Sequence, residues 1–186
     1  MFKFLSKVVK GAQGGIVASL EGVTDVSTTL IKAVKRITVN TLNETGDFLR
    51  EGVQVPAAIV KGVFMGLGEL GVSVTKAVKG VVRGTIEGAK ESGVKQEHVV
   101  RGTVAETLYS AKELGLDIGE TAVSAVEGVI EGVTAIGGDT VKATATAIKT
   151  ILTVTKEFGD ETLDQVKDAL GTSVKGAKDI INAIEK

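Results

Sequence analysis

Apolar residues recur at spacings of three and four along most of this chain, as in Val100, Val104, Leu108 and Ala111. That is the period of an amphipathic α-helix, whereas a half-buried strand alternates every second residue. At about 100° per residue the apolar positions sweep roughly 140° of a helix surface. Lysine and arginine border that face on one side, as with Lys76, Lys79, Arg83 and Lys90, and acidic residues such as Glu87 and Glu91 lie further round. Small residues hold the opposite border, most clearly Gly80, Gly84 and Gly88, then Gly128 and Gly132. Glycine within a helix costs up to about 1 kcal/mol against alanine, so this edge implies the close approach of another helix backbone.

The helical pattern is punctuated by a ladder of glycines. Gly71, Gly93, Gly115, Gly137 and Gly159 follow one another at intervals of 22 residues. Laid out at that period, eight units run from residue 5 to residue 180 and six residues are left over. One column then reads Leu20, Leu42, Phe64, Ile86, Leu108, Ile130, Leu152 and Val174, apolar throughout. A second reads Ile16, Thr38, Val60, Val82, Val104, Val126, Ile148 and Leu170, with Thr38 its one polar member. A third reads Asp25, Asp47, Glu69, Glu91, Glu113, Ala135, Glu157 and Asp179, acidic except at Ala135. Self-similarity at a fixed period marks an internal repeat. The first three units lack the boundary glycine.

A period of 22 is twice 11, and an 11-residue repeat can run as one continuous, slightly right-handed helix. The unit boundaries argue for breaks instead. Gly71, Gly93 and Gly115 are each followed by an apolar residue (Val72, Val94, Leu116), the pattern of a left-handed glycine cap. Start signals come next: Asp117 with Glu120 in capping-box spacing, Asp139-Thr140, and Asp160-Glu161-Thr162. Pro56 fits a helix only in its first turn, and Gly46-Asp47 reads as a boundary inside its unit. Helices are therefore expected at 4–23, 28–44, 56–70, 74–92, 96–114, 118–136, 140–158 and 162–184. Short loops make successive helices antiparallel. The expected fold is all-α: tandem 22-residue single-helix repeats joined by Gly-capped turns, in one antiparallel helical array over residues 1–186, α-solenoid or bundle-like.

Composition narrows the functions open to such an array. Basic and acidic residues nearly cancel (22 against 23, net −1), which gives the whole chain no electrostatic pull towards nucleic acid. The absence of cysteine removes disulfide and thiolate chemistry, and a single histidine disfavours His-rich metal sites. Aromatics are 3% of the chain with no tryptophan, poor material for base-stacking platforms. Hydropathy is high, yet charges interrupt every run well short of the roughly 18–20 residues that span a bilayer. The start, Met1-Phe2-Lys3-Phe4-Leu5-Ser6-Lys7, lacks the continuous apolar core of a secretory signal, so a cytoplasmic location is expected. It reads as an amphipathic helix start, or as a foot for a membrane surface.

Short motifs add little chemistry. Gly66-Leu67-Gly68-Glu69-Leu70-Gly71 matches the dinucleotide fingerprint as a pattern, but it closes a helix and follows no strand. Ser73-Val74-Thr75-Lys76 and Ser92-Gly93-Val94-Lys95 match an acyl-transfer pair without its companion motifs, and capping explains both serines. His98 shares a column with Lys10, Lys32, Lys76 and Lys142 and is expected on the solvated surface. The acidic column is expected there too, with Arg83–Glu87 and Glu87–Lys90 as side-chain pairs. No catalytic, cofactor-binding or metal-binding residue is assigned, and the chain is not expected to be an enzyme.

The run from Val74 to Glu91, with its Val-Thr-Lys-Ala and Val-Val-Arg-Gly segments, resembles the amphipathic 11- and 22-residue repeats of synucleins, exchangeable apolipoproteins and perilipins. The resemblance implies helices that bind lipid surfaces through shallow apolar faces flanked by lysine. Two departures favour helices packing on one another: the basic residues crowd one border only, and the boundaries carry glycine where apolipoproteins prefer proline. The expected function is a structural or interaction helical repeat protein that self-assembles into oligomers or filaments. The alternative is a coat for a lipid or hydrophobic granule surface. The expected partner is the chain itself or another protein, with a lipid surface second and nucleic acid excluded. A small-ligand carrier would need a pocket that no sequence pattern displays.

Overall fold

In a computed structural model, which describes residues 1–45 and 52–186, the glycine ladder sets the architecture. Gly71, Gly93, Gly115 and Gly137 take left-handed backbone, with φ of 67°, 76°, 68° and 67°. After each, the next residue returns its N–H to the carbonyl five residues back: Val72 to Leu67, Val94 to Ala89, Leu116 to Ala111 and Gly138 to Val133, at 2.9–3.1 Å. These are Schellman closures, which satisfy carbonyls a helix end would otherwise orphan.

The helices are α1 (Phe2–Leu20), α2 (Val26–Asn43), α3 (Gln54–Glu69), α4 (Val74–Glu91), α5 (Gln96–Glu113), α6 (Ile118–Ala135), α7 (Thr140–Phe158), α8 (Asp160–Ser173) and α9 (Ala177–Ile184). No strand occurs among the described residues. Expected start signals hold at Asp117 and Asp139, whose carboxylates accept from the amides of Glu120 (2.7 Å) and Lys142 (2.9 Å). Pro56 sits in the first turn of α3, where its missing N–H is harmless.

Four local expectations need correction or fall outside. The last unit is not one helix: it breaks at Val174–Gly176, where Gly176 has φ of 81°, giving α8 and the short α9. Ser73 is the N-cap residue of α4, but its side chain makes no capping bond. Ser92 lies after the end of α4, and its hydroxyl donates back to the Gly88 carbonyl at 3.2 Å. The Gly46-Asp47 boundary lies outside the described residues.

Apart from the connection between α2 and α3, consecutive helices are joined by short turns and run antiparallel, yet the most extensive packing joins helices two apart: α1 with α3, α2 with α4, α4 with α6. The array therefore has two layers, α1, α3, α5, α7 and α9 in one and α2, α4, α6 and α8 in the other. Their inward faces share a continuous core. The column Ile16, Thr38, Val60, Val82, Val104, Val126, Ile148 and Leu170 is 0% exposed at every position. Full burial of each aliphatic member is worth about 1.5–3 kcal/mol. Thr38 joins it without a loose polar atom, because its hydroxyl donates to the Val34 carbonyl at 2.8 Å.

The small-residue edge explains the approach within each layer. A Cβ on Gly84 would lie 2.8 Å from the Ile31 carbonyl oxygen, and one on Gly88 2.6 Å from that of Lys35. Gly128 meets Lys79 in the same way at 2.7 Å, and Gly62 and Gly66 meet α1. Partners advance in step (84 with 31, 88 with 35), so helices within a layer are parallel.

Candidate functional site

A broad concavity arises where the small edge is interrupted. At the position held by Gly62, Gly84 and Gly128, α5 has Glu106 and α7 has Thr150. At the position held by Gly66, Gly88 and Gly132, they have Ser110 and Val154. The bulkier side chains hold these helices off, and α3, α5 and α7 pack less closely than α1 on α3 or α2 on α4. The result is an open groove of about 880 Å³ on the outer side of the odd layer. Val53, Gln54 and Ala57 at the start of α3 form one wall, and Ile180, Ala183 and Ile184 of α9 the other. Ala105 of α5 and Ala145 of α7 contribute to the lining between them.

The α7 threonines make this surface less polar than their names suggest. Thr146, Thr150 and Thr153 donate their hydroxyls to the carbonyls four residues back, of Lys142, Thr146 and Lys149, at 2.8–2.9 Å. Their methyl groups are the part left unengaged.

Charge is distributed unevenly along the groove. Because the odd helices are parallel, the starts of α5 and α7 lie at one end and contribute the positive pole of the helix dipole. Arg101 and Lys142 stand there, each 4.0 Å from the single carboxylate of Glu97. Lys149, midway, has no ion-pair partner among the described residues. Glu106 accepts from Ser110 Oγ at 2.9 Å, and burial pushes its carboxyl above the usual range. At the far end the Tyr109 hydroxyl donates to Glu157 at 2.7 Å. That bond is the main cause that raises the tyrosine pKa.

The residues singled out from the sequence do not converge on this groove. The Gly66–Gly71 run ends α3, with Gly66 pressed against Ile16 and the Gln13 carbonyl of α1. His98 is half-buried and not on the open surface; its Nδ1 is shielded without a hydrogen-bond partner, beside a smaller hollow of about 300 Å³. No group of three His, Cys, Asp or Glu side chains among the described residues is placed to hold a metal. Glu87 pairs with Arg83 at 2.7 Å and not with Lys90.

The acidic column was expected to be no more than a solvated face, and here the structure adds a role. Glu69 accepts from Gln13, Glu91 pairs with Lys35 (2.5 Å), Glu113 with Lys61 (3.5 Å) and Glu157 with Tyr109 (2.7 Å). Each partner lies two helices upstream, so the carboxylates clasp helices within a layer. The periodicity of one sequence carries no information about which helix is the second neighbour in space.

No protein-family model and no curated protein sequence matches the chain. Among the described residues no helix is long and apolar enough to cross a membrane.

Proposed function

We propose that this chain is a structural and interaction module, an array that associates with a second copy or another protein through its first helix and catalyses nothing. One observation carries the reading: the small edge that seats α3, α4 and α6 on their upstream neighbours is uncovered on α1. Gly11 and Gly14 have no atom within 4 Å of a Cβ built on them, and Ala18 is exposed. Met1 and Phe2, at the start of the same segment, are 63% and 91% exposed.

α9 packs on α7 and α8 and buries Ile181, leaving Lys178, Asp179, Asn182 and Glu185 outward together with Ala183 and the 40% exposed Ile184. The uncovered edge of α1 laid against its own copy would make a closed two-fold contact. Mass by light scattering tests this. A dimer that falls to monomer in Gly14→Glu supports the reading, and a monomer at all concentrations rejects self-association.

The lipid-coat reading draws on one specific feature, exposed Met1 and Phe2 beside Lys3, Lys7 and Lys10. Circular dichroism with and without anionic vesicles separates the two. The packed array should be as helical in buffer as on lipid, and a large helix gain on vesicles would favour the coat.

A further inference from the structure

The groove between α5 and α7 has a lining that selects its occupant. On α5 it runs from Glu97 to Tyr109, roughly 18 Å at 1.5 Å per residue. A docked helix would need a continuous apolar strip to lie on, and Glu106, Lys149 and Glu157 interrupt this lining. An extended peptide would fit, but its backbone N–H and C=O groups need partners. The threonine hydroxyls are already turned onto their own helix, and the helix backbones are satisfied. A flat aromatic ligand would find one ring, Tyr109, which is tied to Glu157 and set edge-on to Phe158 at 5.7 Å.

What remains is a flexible aliphatic chain, for which alanine, valine, isoleucine and threonine methyl groups are sufficient company. The charge at one end selects its head. Arg101 and Lys142 face Glu97 and the α7 cap Asp139 there, and Lys149 midway, with no ion-pair partner among the described residues, leaves positive charge in excess. The opposite end carries Glu157. We propose that the groove binds a single-chain fatty acid, with its tail past Ala105 and Ala145 and its carboxylate beside Arg101 and Lys142. This is independent of how α1 associates.

The test is calorimetric titration of the full chain with dodecanoate below its micelle concentration, with dodecanol in parallel. Saturable binding of dodecanoate is expected. Ala105→Trp, or Ala145→Leu should that variant lose its helical melt, should weaken both ligands more than tenfold. Arg101→Glu with Lys142→Glu should weaken dodecanoate about tenfold and leave dodecanol within twofold. Absence of saturable binding overturns the proposal, as does binding that the groove-filling variants leave unchanged. Equal weakening of both ligands by the charge reversal overturns the assignment of the head.

Discussion

Tyr109 Oη lies 2.7 Å from Glu157 Oε2, a hydrogen bond that joins α5 to the next helix of its layer. The acceptor stands in the column that also holds Glu69, Glu91 and Glu113, so the clasp keeps its carboxylate while the donor changes to a phenol. The chain has one tyrosine and no tryptophan, which makes this clasp directly readable by ultraviolet absorbance. The phenol should ionise above its ordinary value of 10.0, chiefly because the neutral O–H donates to the carboxylate. A raised folded pKa means this contribution is complete below the unfolded value and fades as pH climbs through the folded one. Glu157→Gln should bring the midpoint back towards 10.0. Equal midpoints in both proteins would show that the bond does not form in solution.

Glu106 should make stability depend on pH in the opposite sense to a salt-bridged carboxylate. Burial raises its carboxyl first, the Ser110 bond and Lys61 lower it in part, and Glu113 adds a further rise. The folded state thus holds the proton more tightly than the unfolded one, and stability falls as pH rises from 4.5 through the raised value. Glu106→Gln removes that slope. Its melting temperature relative to the parent should climb as pH rises from 4.5 through the raised value. A flat difference over that range would mean the carboxylate is solvated.

The unit boundaries are not equivalent. Gly115, with φ of 68°, is in the left-handed helical region that asparagine also visits, so Gly115→Asn should cost under about 1 kcal/mol and Gly115→Ala about 1–2 kcal/mol. Gly159 combines φ of 121° with ψ of 157°, a region almost closed to other residues. Gly159→Asn and Gly159→Ala should both cost about 2 kcal/mol or more, read from denaturant midpoints. Tolerance of asparagine at both sites would contradict this distinction.

Much of the fold was legible because the physics concerned is local. The three-and-four spacing, Asp117 and Asp139 as starts and the left-handed glycines need only neighbouring residues. They located α4 to α7 to within a residue. Gly22 also takes left-handed backbone (φ of 73°), but it stands five residues off the ladder and offered no periodic cue. The break at Gly176 was hidden because Ile180, Ile181 and Ile184 continue the apolar pattern past it. The groove was written in the same columns that gave the fold, as Glu106, Ser110, Thr150 and Val154 standing in glycine positions. Its meaning required knowing that this edge faces the second neighbour. The clasp role of Glu91 and Glu113 was missed for the same reason.

Each seated helix is held by laying its small edge on the helix two before it, and thermal melting of two glycine variants tests this most directly. Alanine is the better helix former by about 1 kcal/mol, and Gly68 on α3 has open space around it, so Gly68→Ala should raise the melting temperature. At Gly84 the added methyl meets the Ile31 carbonyl at 2.8 Å and Val34 Cβ at 2.9 Å, so Gly84→Ala should lower stability by about 1–3 kcal/mol. Opposite signs are predicted, and a rise in both variants would contradict the seating of α4 on α2.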